Sequence, residues 1–128
     1  MSTLAVGTIK SISSAAPVFQ NTSGTEIGQL AKKWVIYEDD GSINASLGIS
    51  SVDDNGGTGD HTVKFDTAFS SVNYAFALSV GRGSSSSGMR IVAQEVTKST
   101  TDFRIQIRNP NTGGTNDTHE VAAVFFGD

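Results

Sequence analysis

Cysteine is absent from the 128 residues, proline occurs twice and tryptophan once. The lack of thiols excludes disulfides, thiolate nucleophiles and every Cys-containing zinc site, and it leaves the redox compartment unreadable. Basic residues are scarce as well, nine against 13 acidic for a formal charge of −4. A nucleic-acid binder needs a basic patch, so nucleic acid is not an expected partner. The longest apolar run, Val121 to Phe126, falls far short of the roughly 20 residues of a membrane-spanning helix, and no membrane association is expected. Met1 to Ile12 has neither a basic start nor an unbroken apolar stretch, so no secretory signal is predicted.

Gly, Ser and Thr together fill 44 of the 128 positions. That composition suits hairpins and starves helices of their best formers, so an all-β chain is expected. Seven Phe, two Tyr and one Trp can fill the core of one domain of this length, which buries roughly two-thirds of its unfolded surface. No staple is required.

The chain divides near residue 30. Residues 1–30 carry only Lys10 and Glu26 as charges and a thin set of apolar side chains, too few to close a core. An extended N-terminal arm is predicted, anchored through Leu4, Val6, Ile9 and Ile12 on the main domain or on another chain. Ser23-Gly24-Thr25-Glu26 has the spacing of a capping box. Gly28 and the alternation that soon follows weigh against a helical turn there.

From about residue 32 the period is two. Trp34 and Ile36 share one face, Val35 and Tyr37 the other, and Glu38 to Gly41 reads as a turn. Ile43, Ala45, Leu47 and Ile49 predict one strand whose phase breaks at Val52, a bulge or strand end. His61, Val63 and Phe65 follow the loop Asp53–Asp60, and Tyr74, Phe76, Leu78 and Val80 form a stripe that reads as a central strand. Further strands are predicted around Met89 to Val96, over Phe103 to Arg108 and over Glu120 to Phe126. The expected architecture for residues 31–128 is an antiparallel β-sandwich of about seven or eight strands. The last strand is apolar on both faces. In an antiparallel protein that implies a second layer or subunit, so Ala123, Val124, Phe125 and Phe126 are the expected subunit interface, through one alternate pair or the other.

Lys33-Trp-Val-Ile-Tyr, Gly41-Ser-Ile-Asn-Ala-Ser-Leu-Gly-Ile-Ser-Ser-Val and Asp54-Asn-Gly-Gly-Thr-Gly-Asp-His-Thr-Val-Lys-Phe resemble a module of tail-fibre-like and other virion proteins of tailed phages. Asn73-Tyr74-Ala75 and Val121-Ala-Ala-Val-Phe fit its later strands, and Met1-Ser-Thr-Leu and Gln20-Asn-Thr-Ser-Gly-Thr-Glu-Ile-Gly look like its front. An extra Gly in the Asp54 to Asp60 tip and His61 in place of an aromatic depart from the pattern. The resemblance implies a virion protein, a homotrimer, whose partners are other capsid or tail proteins. A head decoration, a short head fibre and a tail-associated appendage all fit it.

Chemistry-bearing groups are sparse in pattern. Asp53, Asp54, Asn55 and Asp60 offer oxygen ligands but lack EF-hand spacing and a closing bidentate Glu, and such residues are ordinary hairpin-tip formers. No metal is expected. His61 is in phase with the core and is placed at its rim; His119 reads as a solvated strand start. No nucleophile elbow accompanies the abundant Ser, and Glu38, Asp39 and Asp40 are turn neighbours rather than an opposed catalytic pair. Gly56–Gly59 and Gly81–Gly88 lack the Lys and helix of a phosphate loop. Neither an enzyme nor a cofactor is expected. Arg104, Gln106 and Arg108, outward on one strand, read first as a solvated face, and are also a candidate ligand face for an acidic surface glycan or for carboxylates of a neighbouring subunit. With loops 53–60, 82–88 and 109–115 they define the alternative expectation, a module recognising host carbohydrate.

Overall fold

The structure, a computed structural model, describes residues 19–28, 30–81 and 92–127. The chain forms two compact units, residues 1–30 and 31–128, and no helix occurs among the described residues. Leu4, Val6, Ile9 and Ile12 lie outside the described residues, as does the loop 82–88.

In the first unit β1 (Phe19–Gln20) pairs antiparallel with β2 (Glu26–Gly28). Asn21 holds the turn: its Oδ1 accepts from the amides of Ser23 at 3.0 Å and Thr25 at 2.9 Å. The capping-box spacing therefore starts no helix, because Asn21 satisfies the local amides in a hairpin instead.

The second unit contains β3 (Lys33–Tyr37), β4 (Ile43–Leu47), β5 (Ile49–Asp54), β6 (Asp60–Phe65), β7 (Ala75–Val80), β8 (Val92–Lys98), β9 (Asp102–Arg108) and β10 (Val121–Phe126). They form two antiparallel four-stranded sheets, ordered β4-β3-β10-β7 and β5-β6-β9-β8, packed as a sandwich. Alternation decides what goes inside. Val35, Tyr37, Val121, Ala123 and Phe125 from one sheet meet Val63, Phe65, Phe103, Ile105 and Ile107 from the other, all buried. The sheets touch through rings: Phe65 to Phe125 at 5.1 Å and Phe103 to Phe125 at 5.2 Å between centroids, both edge-on. Phe69 and Tyr74, on the connection from β6 to β7, stack at 4.4 Å beside Phe65. The Tyr74 hydroxyl donates to the Ser99 carbonyl at 3.0 Å.

Three features differ from the sequence reading. Residues 43–50 are two strands, since Gly48 takes φ +70°, a left-handed turn open to glycine, and passes the chain from the first sheet to the second. The break at Val52 is not a strand end. The Tyr74 to Val80 stripe gives an edge strand: β7 pairs with β10 alone, and Ala75, Ala77 and Ser79 lie exposed rather than closely packed. Finally, His61 is 1% exposed, inside the core and not at its rim. Its ring meets Tyr37 edge-on at 5.3 Å, and Nε2 donates to the Asp39 carbonyl at 2.8 Å, which fixes the tautomer because a carbonyl only accepts.

Phe125 touches two rings of the facing sheet and that of Tyr74 on the β6–β7 connection, so Phe125→Ala is expected to destabilise the second unit by about 3–5 kcal/mol. Urea unfolding followed by tyrosine and tryptophan fluorescence measures it.

Candidate functional site

Three surfaces of the second unit can be compared, and they are chemically unlike. The outer face of β5-β6-β9-β8 is polar. Asp60, at the start of β6, faces Gln106 in the register and sits beside Arg104. Arg104 Nε donates to Asp60 Oδ1 at 2.8 Å and Nη2 to Oδ2 at 2.6 Å. Gln106 Nε2 and Asn55 Nδ2 each add a bond of 2.8 Å to the same carboxylate. Arg108 continues the ladder, reaching Gln106 Oε1 at 2.6 Å and the Gly113 carbonyl at 2.9 Å. The Arg104 hydrogen bonds, then those of Gln106 and Asn55, hold the Asp60 carboxyl far below the usual carboxylate range against the desolvation that opposes them. The proposed ligand-reading side chains are thus brought together, but the acidic group they read belongs to their own chain. Lys64 pairs with Asp53 on the same sheet.

At one end of the sandwich the tip of the β5-β6 hairpin meets the segment leading into β10. Gly59 donates to Asp117 Oδ1 at 2.7 Å, and its carbonyl accepts from the Ile107 amide at 2.8 Å. A Cβ on Gly59 would lie 2.2 Å from the Asn116 carbonyl oxygen, so only glycine permits this approach. A cleft of about 300 Å³ opens there, lined by Asp39, Asp40, Asp54, Gly56, Thr58 and Asp117. Asp40 and Asp54 each spend an oxygen on a backbone amide, of Ser42 at 2.8 Å and Gly56 at 2.9 Å. Among the described residues no group of three or more His, Cys, Asp or Glu side chains is placed to hold a metal ion. His119 is exposed.

The third surface is the outer face of β4-β3-β10-β7. Cross-strand register aligns Leu47, Trp34, Val124 and Ala77 in one row, and Ala45, Ile36, Ala122 and Ser79 in the next. Phe126 faces Ala75 beyond them. These two rows and the Phe126–Ala75 pair carry no charged side chain, and Leu47 is 53% exposed. Of the interface residues expected from sequence, only Val124 and Phe126 lie here. Ala123 and Phe125 are fully buried in their own sandwich and cannot contact a second subunit. Trp34, Ile36 and Leu47 complete the face. Their signal was in the sequence: Trp34 to Tyr37, like the last strand, is apolar in both alternating sets.

Comparison with protein families, with curated proteins and with solved structures returns no match.

Asp60 titrates below an unfolded aspartate, whose pKa is about 4, so its share of the stability is present above about pH 4 and is lost as the pH falls below it. Asp60→Asn is expected to cost about 1–2 kcal/mol at pH 7, toward the lower end because the Arg104 side chain is 41% exposed. It should also flatten the acid limb of a plot of stability against pH, measured by urea unfolding between pH 2 and 7.

Proposed function

We propose that this chain is a small structural protein of a tailed-phage particle, a β-sandwich displayed on the virion surface as an oligomer and mounted through residues 1–30. It catalyses nothing and carries no cofactor; its work is to present a stable surface and to hold its neighbours. The observation that carries this reading is the uncharged outer face of the β4-β3-β10-β7 sheet. A solvated antiparallel sheet alternates apolar inside and polar outside, as β9 does with Phe103, Ile105 and Ile107 against Arg104, Gln106 and Arg108. In β10 both sets are apolar, and in β3 the outward pair Trp34 and Ile36 is apolar as well; such a patch on a secreted or displayed domain marks a contact with another protein. The resemblance of Lys33 to Phe65 to virion modules supports the same assignment, and head decoration, short head fibre and tail appendage all suit a single domain of this size.

One observation favours a second reading, a module that recognises host surface carbohydrate. The tip of loop 53–60 and Asp117 converge through Gly59 on the cleft beside Asp39 and Asp40. Its carboxylates suit a neutral or cationic sugar rather than an acidic one, and Arg104 and Arg108 are engaged within the chain.

An antibody raised against this chain is expected to label the surface of purified particles of the phage that encodes it, in electron micrographs. Absence of the chain from such particles overturns the structural reading. Saturable binding of a neutral glycan that is lost on Asp117→Ala adds the second function to the first.

A further inference from the structure

We infer that the uncharged face of the β4-β3-β10-β7 sheet is covered by the same face of a second copy, around a two-fold axis parallel to the strands. This rests on the reading of that face as an assembly surface and specifies its occupant. Side-chain size is graded along the central row, from Leu47 and Trp34 through Val124 to Ala77. Leu47 and Trp34 stand on the β4-β3 half, whereas β7 offers only Ala75, Ala77 and Ser79.

Two sheets stacked face to face are related by a two-fold axis lying between them. An axis across the strands would set β4 on β4 and β7 on β7, bulky on bulky and void on void. An axis along the strands lays β4 of one copy over β7 of the other, and β3 over β10. Leu47 then fills the shallow side left by the alanines, and Trp34 meets the row of Val124. The face is complementary to itself in that one arrangement.

A face lacking charge has nothing to steer or select a charged partner, which also favours a copy of itself. Four strands about 4.8 Å apart and about six residues long cover roughly 400 Å² of plane per copy. With side-chain relief, two copies remove on the order of 1,000 Å² from water, at the small end of specific interfaces. An interface of that size suits a reversible pair. A three-fold ring, as the resemblance to virion modules implies, uses two different patches on each subunit and cannot stack one face on itself.

Sedimentation equilibrium of the full chain over a hundredfold range of concentration tests this. The wild type is expected to pass reversibly from monomer to dimer. Ala77→Arg and Leu47→Lys, both at exposed positions on edge strands, should weaken the dimer at least tenfold with an unchanged circular dichroism spectrum. Gln94→Lys, on the outer face of the other sheet, should leave it unaltered. A monomer at every concentration, or a dimer that survives both charged substitutions, overturns the inference. A stable trimer overturns the two-fold arrangement yet leaves the chain's place in the particle standing, whereas a dimer formed by a protein missing from purified particles does the reverse.

Discussion

The edge-on contact of Phe125 with Phe65 and Phe103, 5.1 and 5.2 Å between centroids, ties the two sheets of residues 31–128 together. β10 lies inside the first sheet, between β3 and β7, and β6 and β9 occupy the centre of the second. These rings therefore join the strands that hold each sheet together. Aromatic pairs add to burial through their quadrupoles, and the stacked Phe69 and Tyr74 extend the cluster over one end of the core. Two lysines close its polar margin: Lys33 pairs with Asp66 at 2.9 Å while lying over Phe65 and Phe69, and Lys98 lies over Tyr74 and Phe76.

With the interior fixed, the two outer faces follow different rules. On β5-β6-β9-β8 the outward side chains bind one another, with Asp60 receiving Arg104, Gln106 and Asn55 in one connected set. The Asp60 carboxylate on that face is satisfied within the chain. On β4-β3-β10-β7 the outward side chains have only dispersion and the removal of water to gain, and that gain is realised against another surface. The functional asymmetry of the molecule is this difference between its two skins.

Much of the sandwich was legible because period two is a local signal: Val63 and Phe65, or Phe103, Ile105 and Ile107, declare their face within a few residues. Which strand sits at an edge was not. Tyr74 to Val80 reads as central from its apolar stripe, but edge position depends on pairing with β10, more than 40 residues away. Gly48 gave no local sign that a regular alternation would change sheets there. The face of β10 that points outward was equally hidden, since both of its alternate sets are apolar and only the partner strands choose between them. The Asp60–Arg104 pair, 44 residues apart, lies beyond any spacing rule, as does the approach of Gly59 to Asp117. The Leu4 to Ile12 anchor falls outside the described residues.

The single tryptophan, Trp34, sits in the middle of the uncharged face, so its own fluorescence reports whether that face is covered. The most direct measurement is iodide quenching of Trp34 in the intact protein as concentration rises from nanomolar to tens of micromolar. Quenching that falls as the protein concentrates, with emission shifting to the blue, is what an assembly surface requires. Quenching that stays constant and strong throughout would contradict it.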